Sequence, residues 1–252
     1  MPITANTLYR DSINFLKNQL LNIVILSVLA ALVTALLGHL LMPNDEQLNL
    51  LAELQNIVRE SGNTGIQRFV TQLTPDEQFT LMRTMFGVLF TNIFGNTLLT
   101  ASILVLIHAI STGQQTNAFH ASTLSITRLP KMFLLMFICT LLVQIGYALM
   151  ILPGILFSIA FSLAPIFLLE KGKNVFTAMQ NSWKVAFGNM RLLIPAILLW
   201  LAVKLILVLV LAKMPNILLS ALDNFLSSLL LVYLFRLYML VTPQNNTTNV
   251  MR

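Results

Sequence analysis

Charge is scarce in this chain. Only 10% of its 252 residues are Asp, Glu, Lys or Arg, against about a quarter in soluble domains. The hydrophobic share is 57%, and the mean hydropathy is +0.82. A water-soluble domain of this composition would lack the polar surface to stay dissolved. Cysteine is scarcer still. Cys139 is alone, which excludes an internal disulfide and a thiolate metal cluster. It lies inside an apolar run, where a buried structural thiol is expected. The three histidines, His39, His108 and His120, show no His-x-x-His spacing. A metal site wants three or four ligands, so no metal site is expected. Gly-rich phosphate loops, a Gly-x-Ser-x-Gly elbow and a dinucleotide fingerprint are all missing. No catalytic residues, no cofactor and no enzymatic activity are therefore expected.

What the chain does have is apolar runs near 20 residues. Such runs match a hydrocarbon layer of about 30 Å at about 1.5 Å per helical residue. The fold class expected is all-α: an integral membrane helical bundle of about six transmembrane helices with short cytoplasmic interfacial helices. The spans fall at about 20–42, 85–110, 132–152, 155–169, 192–212 and 217–240. Together, residues 1–241 read as one polytopic membrane domain. Residues 43–84 form an external acidic loop, and 242–252 a disordered polar tail. The first run is too long for a signal h-region, so it is expected to stay as a signal anchor.

Residues 152–191 organise the rest. Pro153-Gly154 reads as a tight reversal. A short apolar run follows, containing Ser158, Ser162 and Pro165, then the basic turn Glu170-Lys171-Gly172-Lys173. Next, Phe176, Met179, Trp183, Phe187 and Met190 recur three or four apart as one stripe of a surface helix, while Lys173, Asn181, Lys184 and Asn189 take polar positions. The segment before residue 20 reads likewise as a short interfacial helix, with Leu8, Phe15 and Leu16 on one side. Thr74-Pro75-Asp76-Glu77 is a helix start: Thr74 caps, Pro75 needs no N–H there, and Glu77 can complete a capping box. One helix from about Pro75 to Ile110 should follow, then a polar connector to Pro130. Three outward spans, each with its own polar or amphipathic lead-in and return span, suggest three hairpins.

Basic residues orient the chain. Ten of the fifteen (Arg10, Lys17, Arg128, Lys131, Lys171, Lys173, Lys184, Arg191, Arg236 and Arg252) fall on one side of a six-span topology. Six of the nine acidic residues fall in the loop at 43–84. Both termini should be cytoplasmic. The net charge of +6 is thus a topology signal, and no nucleic acid partner is expected, because no basic patch interleaves with aromatics. Membrane lipids are the expected partners, with an unidentified membrane protein as a further one.

Intramembrane polar residues are the candidate sites. Asn92 and Asn96 lie one turn apart, and an amide facing lipid would leave hydrogen-bonding groups unsatisfied. That face should turn inward, for helix packing or for a polar path. Gln144 lies in the third span. Lys204 and Asp223 stand at matched depths on spans joined by a short turn. They either lock the two spans as an ion pair, snorkel independently, or take part in a proton- or ion-coupled step. At the interface, Lys173, Trp183, Lys184 and Arg191 are the candidate lipid contacts, since Trp prefers headgroup level and Lys and Arg attract anionic lipid. Arg236 is expected to snorkel.

The start Met1-Pro2-Ile3-Thr4-Ala5, the run Leu141 to Gly146, Pro153-Gly154-Ile155, Leu163-Ala164-Pro165, Asn189-Met190-Arg191-Leu192 and the ending Tyr233-Leu234-Phe235-Arg236-Leu237-Tyr238 together resemble the YciC family. These are uncharacterised inner-membrane proteins of enteric and related Gram-negative bacteria. The resemblance implies a multi-pass inner-membrane protein and supplies no catalytic residues. The stretch from Pro153 through Trp183 to Asn189 also looks like the membrane portion of some glycerophosphodiester phosphodiesterases. The soluble catalytic domain of those enzymes has no counterpart here. The reading is a non-enzymatic inner-membrane protein supporting envelope organisation through lipid or protein contacts. The alternative is a small transporter or lipid-handling protein using Asn92, Asn96, Gln144, Lys204 and Asp223. A membrane enzyme acting on lipid stands third.

Overall fold

A capping box starts the longest helix. The Thr74 N–H and hydroxyl both donate to Glu77 Oε2 at 2.8 Å, and the Glu77 N–H returns a bond to Thr74 Oγ1 at 3.4 Å. In this computed structural model, described at residues 5–41, 49, 52, 53, 56, 57, 71, 73–114, 116–169, 174–211 and 214–242, that helix runs Pro75–Ser111 and is α2. It stops at Gly113, whose φ of +78° lets the chain turn back. Gly113 N–H donates to Ile110 O and Gln114 N–H to Ala109 O, filling carbonyls the helix end would leave open. The acidic loop lies largely outside the described residues, as do Lys173 and most of the polar tail.

The described elements are otherwise helical: α1 (Ala5–Leu40), α3 (Ala118–Ile126), α4 (Leu129–Leu149), α5 (Ile151–Phe161), α6 (Ala164–Leu168), α7 (Val175–Gly188), α8 (Met190–Val210) and α9 (Asn216–Val241). Six stretches are long and apolar enough to cross a membrane: Leu8–Leu40, Pro75–Ser111, Leu129–Leu149, Ile151–Leu168, Met190–Val210 and Asn216–Val241. Only 17% of the most apolar part of α8 is buried, at a mean hydropathy of 2.8. Leu205, Ile206, Leu209 and Val210 are all exposed. Apolar surface of this extent requires lipid. The protein is an all-α membrane helical bundle.

Several boundaries differ from expectation. The segment before residue 20 belongs to α1, which bends at Gln19 (φ −118°, ψ 15°). Leu8, Ser12 and Phe15 there are buried, so this part packs into the bundle. The polar connector holds a helix of its own, α3. The reversal between α4 and α5 is made by Met150 (φ −162°, ψ 157°), not by Pro153-Gly154. Pro153 sits in the first turn of α5, where an N–H has no intrahelical acceptor to lose. Gly154 serves close packing: a Cβ there would strike the Tyr147 ring. The next span is broken between Phe161 and Ala164, ahead of Pro165, which cannot donate to a continuing helix.

The chain divides into two units. One comprises Met1–Leu32 and Gly95–Arg252. At its core, α2 buries Leu99, Ile103, Leu104, Leu106 and Ile107. Small polar groups join its helices: Ser102 and Ser125 hydroxyls lie 3.1 Å apart between α2 and α3, and Ser182 donates to Ala160 O between α7 and α5. Tyr233 OH donates to Leu192 O at 3.0 Å, between α9 and α8. The other unit, Val33–Phe94, pairs the end of α1 with the start of α2. There a Cβ on Gly38 would meet Thr91 Cγ2 at 3.9 Å, an ordinary contact distance.

Candidate functional site

The α7 helix follows from its sequence in two ways. Asn174 precedes it in extended conformation, and residues at three-to-four spacing divide it into faces. Ala178, Met179, Ser182 and Ala186 form the buried face. They are small apart from Met179, so α7 can lie close against α5 and α6. The expected apolar stripe therefore splits. Met179 turns in, while Phe176, Trp183 and Phe187 remain exposed at 69%, 40% and 37%. Trp183 stacks on Phe187 with ring centroids 5.1 Å apart. It also meets Phe157 at 6.0 Å and Phe161 at 5.9 Å. Beside this aromatic group lies a cleft of about 320 Å³, lined by Phe161, Phe176, Met179, Gln180, Trp183 and Lys184. Its walls are apolar, and Lys184, exposed, supplies a cation. Arg191 is exposed further along the chain, past the break between α7 and α8, in the first turn of α8. The arrangement presents an apolar aromatic recess with positive charge beside it.

The intramembrane polar residues do not converge. Lys204 and Asp223 meet between α8 and α9, with Nζ 2.8 Å from Oδ1 and 2.9 Å from Oδ2. The ammonium also lies 4.3 Å from the Trp200 ring centroid. Gln144 is exposed on α4. Asn92 and Asn96 are exposed on α2, against the expectation that they face inward. The buried positions nearby are Thr91, Gly95, Thr97 and Thr100. A hydroxyl can bond the carbonyl one turn back, as Thr84 does with Thr80 O at 2.8 Å, whereas Thr91 Oγ1 is buried without a hydrogen-bond partner among the described residues. A primary amide carries two donors and needs partners beyond its own helix.

Two polar clusters were not read from the sequence. Asn224, buried on α9, donates to Ser27 O at 3.2 Å, and Ser27 and Ser228 hydroxyls lie 3.4 Å apart. The second gathers Asp11, Asn14, Asn18, Gln19 and Arg236 around a pocket of about 380 Å³. Only the Arg236 position carried a sequence signal, as a cation near a span end. Its companions are some two hundred residues away in the chain.

The whole chain has counterparts in known sequences. Residues 1–240 match an uncharacterised protein family, UPF0259. A UPF0259 membrane protein of Photorhabdus laumondii is 49% identical over 255 residues, covering 98% of this chain and all of the relative. UPF0259 membrane proteins of Yersinia pestis and Yersinia pseudotuberculosis are 44% identical over 250 residues, covering 96% of this chain and 98% of each relative. No solved structure shows a significant match.

Proposed function

Because the chain belongs to the UPF0259 family, whose relatives bear the name membrane protein, we propose a role carried out in the membrane itself: a non-enzymatic, multi-pass inner-membrane protein that organises its surroundings through lipid contacts. The distribution of Lys and Arg supports cytoplasmic termini. The observation that carries this reading is the α7 recess. Trp183 is stacked among Phe157, Phe161 and Phe187 yet remains 40% exposed, with Lys184 lining the same cleft. An indole at headgroup depth with a neighbouring ammonium is the pattern of an interfacial lipid contact, each cation contributing about 1 kcal/mol near an anionic surface. Lys184 and Arg191 would hold anionic headgroups, and the aromatic recess the first part of an acyl chain.

Fluorescence tests this. The chain contains two tryptophans, so a Trp200→Phe variant leaves Trp183 as the sole indole. In vesicles, quenchers attached shallowly to lipid should quench it more than deep ones. Quenching by aqueous iodide alone would place this face of α7 in water rather than in lipid and end this reading.

A second reading, transport, rests on the Lys204–Asp223 pair, an ionisable couple inside two candidate spans. It predicts that neutralising the pair changes solute movement across vesicles while leaving folded yield intact.

A further inference from the structure

At the end of the bundle where α1 begins its first apolar run, a polar pocket of about 380 Å³ opens between α1, α2 and α9, lined by Asp11, Asn14, Phe15, Asn18, Gln19, Ile110 and Arg236. It lies toward the ends of three candidate spans, Leu8–Leu40, Pro75–Ser111 and Asn216–Val241. Ile110 is one residue short of the end of α2, Arg236 is little over one turn from the end of α9, and Gln19 marks the bend of α1. Arg236 is held in place rather than waving in solvent. Its guanidinium carbon lies 5.2 Å from the centroid of the Phe15 ring, and Phe15 is buried. The ring face orients the planar cation. Arg236 Nε is buried and lacks a hydrogen-bond partner among the described residues. Arg236 makes no ion pair with a described residue, although Asp11 stands on the same pocket wall. Gln19 Oε1 is engaged by Asn22 Nδ2 at 2.8 Å, which fixes the Gln19 amide.

This pocket thus offers one fixed cation, one carboxylate and two exposed amides, Asn14 and Asn18. A guanidinium is suited to a phosphate oxyanion through its forked donors. The carboxylate would repel a purely anionic ligand but would accept a primary ammonium. We propose that this pocket binds a zwitterionic phosphoethanolamine headgroup of a membrane phospholipid, with the phosphate on Arg236 and the ammonium on Asp11. The site is separate from the α7 recess and does not depend on it.

The test uses the full chain, purified in mild detergent and stripped of lipid, then offered phosphatidylethanolamine, phosphatidylcholine or phosphatidylglycerol of identical acyl composition. Retained lipid is counted by native mass spectrometry. Phosphatidylethanolamine should be retained several-fold above the other two. Arg236→Gln should lower its retention about tenfold, with Arg236→Lys restoring part, since Lys lacks the fork. Asp11→Asn should bring phosphatidylethanolamine down to the level of phosphatidylglycerol. Equal retention of all three lipids by the wild type overturns the proposal. So does a preference that survives both Arg236→Gln and Asp11→Asn. Binding of inorganic phosphate through Arg236 without any lipid preference would mark a soluble-anion site and overturn the headgroup assignment. Should Arg236→Gln fail to fold, Asp11→Asn and Asn18→Leu, both at exposed positions, read the same preference. Trp183→Ala should leave the preference intact. Failure of the α7 reading would appear in Trp183 quenching and not in these counts.

Discussion

Lys204 Nζ sits 2.8 Å from Asp223 Oδ1 and 2.9 Å from Oδ2, so one ammonium bridges both carboxylate oxygens across α8 and α9. The side chains are 24% and 35% exposed, neither sealed nor free. Removing one partner leaves the other charge unpaired inside a span. Lys204→Met and Asp223→Leu should each destabilise by about 1–3 kcal/mol, between exposed and buried ion pairs. The double variant should recover much of that loss. Thermal unfolding in detergent, followed by fluorescence size exclusion, measures it. Strict additivity of the single losses would show that the charges act independently.

The α4–α5 hairpin gives a second prediction. A Cβ on Gly146 would lie 2.8 Å from Phe157 Cδ2 and 2.9 Å from Gly154 Cα, and one on Gly154 would strike the Tyr147 ring. Gly146→Ala and Gly154→Ala should both destabilise, by about 1–3 kcal/mol as for overpacked cores. Tyr147→Ala should rescue Gly154→Ala, because the obstacle is a side chain. It should not rescue Gly146→Ala, whose obstacle includes backbone. Equal rescue of both would contradict the observed packing.

A third concerns the buried amide on α9. Asn224→Ala removes the bond to Ser27 O and should cost about 0.6–1.7 kcal/mol, the range for interhelical hydrogen bonds in membranes. Ser228→Ala should cost less. Its hydroxyl bonds its own helix at Asn224 O (2.8 Å) and reaches Ser27 only at 3.4 Å. Melting temperatures of the two variants in one detergent decide the order.

Topology supplies the fourth. Reporter fusions at Gly62, in the acidic loop, and at the C-terminus should report periplasm and cytoplasm respectively. The same side for both would overturn the six-span arrangement with cytoplasmic termini.

Sequence alone determined the class of this protein and the places where its helices form. Transfer into hydrocarbon depends on which residues a segment contains and hardly on their order around the helix, so runs of about 20 apolar residues declare themselves. Capping is equally local: the Thr74–Glu77 box spans one turn and is visible in four letters. Depth, too, can be counted along a helix, which put Lys204 and Asp223 at the same level. Rotation could not be read. A span that is apolar on every side has no face to favour, so its orientation is decided by its neighbours. Tertiary structure alone turned Asn92 and Asn96 outward, drew Met179 in while leaving Trp183 exposed, and moved the reversal from Pro153-Gly154 to Met150. It alone brought Asp11, Phe15 and Arg236 to one pocket. Contacts between residues so far apart in the chain depend on how separate helices pack, and packing is a property of side-chain shapes in three dimensions.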